Sequence, residues 1–393
     1  KKGGGIYMSV LIKDILILKS MKQFVPVAGA SGFFRKIEMV DMLDYAWERS
    51  EDFGAMLFDR HSFVLSSLLF ARDSPDKLFS VVKSLIDCGV SGLAFKPIFY
   101  STLPDDVCKL ADSCDFPIFC IQNGTDIDYR EIIIEITDAI RLDKNITEKE
   151  GYLARMAIDS LTPEEVATLA LRISPGFLKN SVASLIYTQD QTRYSPEETI
   201  RHFMSYDEFK NICALYKFDK GLILIVSHDS SDKKHFQRIF DRILSVCNLK
   251  REFLTISHSE IHPTFTMLNY CVQEAKVAYI ACLVMNQTEL CYEQTGSLSC
   301  LIPLAGNPHI ESYMKRFLGA ILDNEEYLQT AIAFVRAEGN YEVAAQYLNY
   351  HKNTLRYRLS KIQTWLAPDQ SYNYFYQNLS LTIKILLINR YTN

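Results

Sequence analysis

Two small residues, Ala344 and Ala345, are followed at Asn349 by a turn-forming asparagine, and both features lie between stretches of helical apolar periodicity. Helices that cross closely need a small residue at the crossing, and the turn joining them needs a residue that tolerates positive φ. Ala345 and Asn349 meet these demands, because asparagine is the best substitute for glycine in the left-handed region. The flanks agree with this reading. Glu325 to Val335 forms an apolar-faced helix that stops at Glu338-Gly339-Asn340, where Gly339 supplies a C-cap and Asn340 can cap the next helix. Tyr341 to Leu348 reads as a short helix and His351 to Thr364 as a third. In the third, Leu355, Leu359 and Ile362 fall at i, i+4 and i+7 and face inward.

The remaining surface of the third helix carries Lys352, Asn353, Thr354, Arg356, Tyr357, Arg358 and Lys361. Between Asn340 and Thr364 there are four Lys/Arg and one acid, Glu342, so the segment has a net charge of +3 in a chain whose total is -5. Local basicity on a helix that enters the major groove is what phosphate attraction and base-edge reading require. A helix-turn-helix over 340–364 is therefore expected to bind double-stranded DNA. Lys352, Thr354, Tyr357 and Arg358 are expected at or near base edges, Asn340 and Lys361 at phosphates, and His351, Asn353 and Arg356 complete the contact set.

The rest of the chain must then supply other functions. At 393 residues it has room for two or three domains, and 48% hydrophobic with 23% charged residues is a folded composition. A net charge of -5 excludes a protein that coats nucleic acid or anionic membrane with its whole surface. The ten cysteines include no C-x-x-C pair and lie mostly in apolar runs, as expected of reduced thiols in a cytoplasmic protein. Cys108, Cys114 and Cys120 are evenly spaced but fall on different kinds of element, so they are not expected to share a metal. No apolar run approaches the roughly 20 residues that cross a bilayer, so no membrane partner is expected. Residues 1–7, ahead of Met8, read as a translated ribosome-binding tract.

From Val10 to Asn123, strand candidates alternate with amphipathic stretches. The strands are 24–28, 36–40, 54–58, 92–95 and 117–121, and the helices are 75–88 and 105–112. Such alternation predicts an α/β unit with a largely parallel sheet. Residues 128–161 turn helical, with an apparent interruption at Asn145-Ile146-Thr147-Glu148, and could form a helical dimer seam. A second α/β unit follows, with strands at 181–187, 221–227 and 253–257, an edge strand at 289–293, and helices at 198–214, 232–247 and 264–285. After Gly296 only helix is expected.

The block His351-Lys352-Asn353-Thr354-Leu355-Arg356-Tyr357-Arg358-Leu359, preceded by Gly339-Asn340 and Ala345, resembles the C-terminal domain of the PucR-type, or CdaR-type, purine-catabolism regulators. That family usually has arginine where Lys352 stands, and its helix pair is similar to that of Fis-type DNA-binding proteins. The resemblance continues through Trp365 to Asp369 and Leu379 to Leu387, and upstream through Asn307-Pro308 and Phe317-Leu318. Val10 to Leu16 and Gly92 to Lys96 look like parts of the family's N-terminal sensor domain. The middle, with Tyr270 and Glu274-Ala275, resembles its degenerate GGDEF-like domain. The resemblance implies a PucR-like sensor over 8–127, a helical linker over 128–160, a catalytically degenerate GGDEF-like domain over 161–300 and a helical DNA-binding domain over 301–393. It further implies a homodimer, or a higher homo-oligomer, that answers to a small-molecule effector.

Rival chemistry is poorly supported by the residues. An active cyclase hairpin needs several acids and glycines for metal and nucleotide, whereas Lys217-Phe218-Asp219-Lys220-Gly221 offers one acid and one glycine. His258 and His262 are four apart, but they flank a probable loop before Pro263. No Gly-rich phosphate loop or nucleophile elbow occurs, so no catalytic residue, metal or cofactor is expected. In the sensor, Asp59, Arg60, His61, Lys96, Gln122 and Asn123 could line a ligand crevice at strand carboxyl ends. The expected function is a DNA-binding transcription regulator, an activator responding to a metabolite of purine, amino-acid or sugar-acid catabolism. The alternative is a nucleotide-binding signalling protein that uses the GGDEF-like domain.

Overall fold

The computed structural model describes residues 10–44, 58–122, 128–158, 160–188 and 194–392. The chain divides into two compact units, Lys1–Glu148 and Lys149–Asn393. Its fold class is α/β in the N-terminal and central parts and all-helical towards the C-terminus.

The first unit is built on strands β1 (Phe24–Ala28), β2 (Met39–Met42), β3 (Ser62–Ser66), β4 (Gly92–Phe95) and β5 (Ile118–Ile121). Their order is β1-β5-β4-β3-β2, with β2 to β5 mutually parallel and β1 antiparallel to β5. Pro26 lies in edge strand β1, where a missing N–H is tolerated. Side chains alternate between the faces of the sheet. Val64, Leu93, Phe95 and Ile118 share one core with Leu78, Val81 and Leu85 of α1 (Asp76–Asp87) and with Val107 and Ala111 of α2 (Asp105–Ser113). Phe63, Leu65, Ala94 and Phe119 share the other core with Ile12 and Ile15 of a short helical turn. Ile132, Ile136 and Ile140 of α3 (Tyr129–Ile158) complete it. Both faces are thus covered, as a parallel sheet requires.

Three sequence expectations are corrected here. The strand expected at 36–40 lies at Met39–Met42, and Lys36 makes only an isolated bridge with Leu11. Of the run 54–58, residues 54–57 lie outside the described residues and Phe58 is not in a strand; the next strand is β3. No interruption occurs at 145–148, where α3 runs through. Asn145 and Thr147 lower helix propensity by no more than about 0.7 kcal/mol each, whereas burying Ile146 contributes roughly 1.5–3 kcal/mol.

The second unit holds β6 (Asn180–Thr188), β7 (Cys213–Phe218), β8 (Gly221–His228), β9 (Leu254–His258), β10 (His262–Pro263) and β11 (Glu289–Cys291). The order is β11-β9-β6-β8-β7, with β10 paired to β6; β11 runs parallel to β9 and the other pairs are antiparallel. Asp219 and Lys220 make a two-residue turn between β7 and β8, with Asp219 at φ 49°. The helix expected over 198–214 is shorter: α5 (Pro196–Met204), which follows α4 (Pro163–Ile173), ends at Met204 and Cys213-Ala214 open β7. α6 (Lys233–Val246) packs on β8 and α7 (Thr264–Met285) on β6 and β9. α7 buries Leu268, Val272, Ala275, Ala278, Ile280 and Val284 on more than one side. The C-terminal end of α7, from Ile280 to Val284, joins one core with α8 (Pro308–Leu322), α9 (Glu325–Arg336), α10 (Tyr341–Tyr347), α11 (Lys352–Leu366) and α12 (Tyr372–Thr392). Among the described residues, no helix is long and apolar enough to cross a membrane.

Candidate nucleic-acid interface

α9, α10 and α11 form a trihelical unit whose joints are set by single residues. Glu338 (φ 51°) and Gly339 (φ 83°) break α9. Asn340 then caps α10, its Oδ1 accepting from the Glu342 N–H at 2.9 Å and the Val343 N–H at 3.2 Å, a cap contributing roughly 1 kcal/mol. Ala344 and Ala345 are buried at the crossing. Asn349 takes φ 53°, and the Tyr350 N–H donates to the Ala345 carbonyl at 2.9 Å, so the tight turn expected at this asparagine is present. His351 caps α11, with Nδ1 accepting from the Asn353 N–H.

On α11, Leu355, Leu359 and Ile362 are buried and join the helical core. Asn353, Thr354, Arg356, Tyr357, Ser360 and Thr364 are exposed. Residues 353, 357, 360 and 364 recur at helical spacing and form the stripe opposite the buried ridge. Ser360 and Thr364 were absent from the sequence-based set, although the same periodicity would have found them. Lys361 stands over the Tyr357 ring at 4.6 Å and Arg356 over Tyr341 at 5.6 Å. Lys352 is ion-paired with Glu342, and that contact holds the Glu342 carboxyl below its usual range.

Arg358 is placed differently from the expectation. Its guanidinium pairs with Glu326 on α9 and lies 4.3 Å from the Tyr350 ring centroid, leaving the side chain 16% exposed. Its Nη1 is buried without a hydrogen bond. The spacing Leu355, Arg358, Ile362 explains this, since i, i+3 and i+7 share one side of a helix. Arg358 therefore braces α11 against α9 and the turn, whereas Arg356 points outward.

The comparisons with known proteins follow this geometry. Residues 14–140 match the model of the purine catabolism regulatory protein-like family. Residues 327–381, which take in α9 from Tyr327 and all of α10 and α11, match that of the PucR C-terminal helix-turn-helix domain. Both matched segments are thus similar to PucR-type regulators. Among solved structures, a regulator of polyketide synthase expression from Bifidobacterium adolescentis is similar at 15% identity. The match covers 64% of this chain and 94% of that one, with a TM-score of 0.29, too low to support any inference. No curated protein matches the chain.

The first unit does not bring its sequence-predicted ligand residues together. Asp59, Arg60 and His61 precede β3, while Lys96 follows β4 and Gln122 follows β5. These strands are parallel, so the two sets occupy opposite ends of the sheet, and this part of the expected crevice is corrected. At the amino end, the His61 N–H donates to the Gly89 carbonyl and Arg60 lies where a Cβ on Gly89 would stand. At the carboxyl end, Lys96 stands 4.4 Å over the Tyr129 ring, and the Gln122 N–H donates to the Gln23 carbonyl. Two residues missed in the sequence join that end. Tyr129 Oη donates to the Ser66 carbonyl at 2.6 Å, and Asp44 accepts from Ser66 Oγ at 2.7 Å and the Ser67 N–H at 2.6 Å. Burial, followed by the Asp44 charge, pushes the Tyr129 hydroxyl up. Asn123 lies outside the described residues.

In the second unit, His258 and His262 hold different partners. The first contacts Ser184 and Glu289, and the second contacts Glu274 at 2.9 Å. Among the described residues, no group of three or more His, Cys, Asp or Glu is placed to hold a metal ion.

Proposed function

We propose that this chain is a PucR-type regulator, a homodimeric or higher-order transcription activator of the cytoplasm, responding to a small metabolite of purine, amino-acid or sugar-acid catabolism. The observation that carries the DNA reading is the exposed stripe Asn353, Tyr357 and Ser360, flanked by Thr354 and Arg356, on a helix locked in place by its opposite ridge. Asparagine pairs bidentately with adenine and arginine with guanine, so Asn353 and Arg356 are the leading base readers. His351, Lys352, Lys361 and Asn340 fit phosphate contacts, which position without specifying sequence.

In this reading 8–127 is the sensor, 128–160 the linker, 161–300 a GGDEF-like coupling domain and 301–393 the DNA-binding domain. The metabolite would sit at the carboxyl ends of β3 to β5, where Lys96, Tyr129, Asp44 and Gln122 gather, the customary ligand end of such sheets. Exposed Ile134 and Leu142 on α3 favour self-association. A dimer should read two half-sites about 34–36 Å apart, or a multiple of that.

The test is an anisotropy titration of the full chain against DNA from upstream of its own gene, at several salt concentrations. Specific, salt-sensitive binding supports the reading. Binding that no salt concentration alters, or equal affinity for unrelated DNA, would count against it.

A further inference from the structure

A cavity of about 90 Å³ lies in the second unit, between α6 and one face of the sheet. Its floor follows from strand register. Val182 and Val226 are cross-strand partners on β6 and β8, Ser184 pairs with His258 on β9, and His258 pairs in turn with Cys291 on β11. Directly opposed residues in a sheet project from the same face, so these side chains form two adjacent rows. Their opposite face is occupied, since Ser257 Oγ donates to the Ala275 carbonyl on α7. Phe236 and Phe240 of α6 roof the rows, and the Phe240 ring stands edge-on to His258 at 4.8 Å.

The polar groups at the floor are oriented. Ser184 is 2% and His258 8% exposed. His258 Nε2 lies 3.2 Å from Glu289, whose carboxylate can only accept, so this nitrogen donates. Glu289 is itself held by Arg251. Nδ1 shares a 2.7 Å hydrogen bond with Ser184 Oγ, whose hydroxyl oxygen keeps a lone pair as an acceptor at the floor. At the mouth stand Lys233, Glu260 and Glu293. Lys233 is paired with Glu293, while the Glu260 carboxylate makes no ion pair or hydrogen bond among the described residues and acts on Lys233 and His262 only through its charge. The three rim charges sum to -1.

We propose that this cavity binds a small amine carrying a single ring. A closed apolar cavity of about 150 Å³ takes benzene, and this smaller one is open on one side, so a ring enters while its substituent stays at the mouth. Phe236 and Phe240 give a ring an apolar roof. The Glu260 carboxylate at the mouth gives the ammonium a partner, and the hydroxyl oxygen of Ser184 accepts from any donor on the ring. A nucleoside triphosphate would bring several negative charges to an acidic rim and exceeds the cavity. The site is independent of the DNA reading, and its test contains no DNA, so either can fail alone.

Isothermal titration of the full chain with phenethylamine, 2-phenylethanol and phenylacetate tests the assignment. The expected result is saturable 1:1 binding of phenethylamine, at least about five-fold tighter than 2-phenylethanol and tighter still than phenylacetate. Glu260→Gln should remove that preference and leave the alcohol unaffected. Val226→Phe, checked for unchanged circular dichroism, should abolish binding of all three, and Val182→Met is the milder filling variant if it fails to fold. Three outcomes would overturn the proposal: no saturable binding to the natural sequence at millimolar probe, equal binding of all three probes, or binding that survives in a folded cavity-filled variant.

Discussion

Arg358 on α11 is ion-paired with Glu326 on α9, so α11 gives up one of its cations to its own scaffold. The guanidinium also rests on Tyr350, in the turn. Arg356, two residues earlier, stays exposed.

Substitution separates these two arginines. Arg358→Ala should lower the stability of the folded chain by about 1 kcal/mol, since Glu326 is largely solvated and the ring contact adds only a fraction of that. Its salt dependence of DNA binding should stay unchanged. Arg356→Ala should leave the melting temperature within error and weaken specific binding by ~1–3 kcal/mol. Thermal melts paired with anisotropy decide it, and the reverse pattern would move the base reader to 358.

Asn349 sits at φ 53°, where an L residue with a plain Cβ is strained. Asn349→Ala should destabilise by roughly 1–2 kcal/mol, while Asn349→Gly should be near neutral. Denaturant midpoints of the two variants check this. Equal loss in both would mean the side chain, rather than the backbone angle, matters.

Two ion pairs in the second unit give opposite pH signatures. The hydrogen bond that His262 donates to Glu274 raises His262 above its ordinary value of 6.5. Stability from that pair is therefore present in full below about pH 6.5 and is lost as the pH rises through the folded value. Glu289 is held down to about 2, chiefly by its hydrogen bond to His258, against an ordinary value of 4.5. Its contribution is present above about 4.5 and fades as the pH falls towards 2. The stability gap between the natural sequence and His262→Gln should thus narrow on the alkaline side, and the gap to Glu289→Gln on the acid side. Melting curves from pH 2 to 9 measure both.

Phe119 is fully buried and packs against Phe24, Phe33 and Phe63. Phe119→Ala should destabilise the first unit by about 3–5 kcal/mol. Hydrogen exchange should report the loss in β3 to β5, and an unaltered first unit would contradict the two-faced core described for this sheet.

The helix-turn-helix was legible in the sequence because its constraints are local: a cap at Asn340, a turn at Asn349, a ridge at 355, 359 and 362. Arg358 was grouped with the outward cations by residue type, although its spacing from Leu355 and Ile362 places it beside the buried ridge. β3 was hidden because all five of its residues are buried, which removes the alternation that marks a half-exposed strand. That omission put Asp59 to His61 at the wrong end of the sheet. β7 was lost in the same way, as a nearly continuous apolar run read as the tail of a helix. The cavity under α6 left no local trace, since Ser184 and His258 are 74 residues apart and meet only through strand register.

The C-terminal end of α7 has a consequence for how such proteins are assembled over time. Ile280, Ala281, Cys282 and Val284 share one core with Leu355, Leu359 and Ile362, and Arg336 ties α9 to the Leu283 and Val284 carbonyls. A gene fusion that carried only the residues after Cys300 would transplant a DNA reader stripped of part of its interior. The heritable module is therefore larger than the motif that names it, and a working graft onto another sensor must bring α7 along.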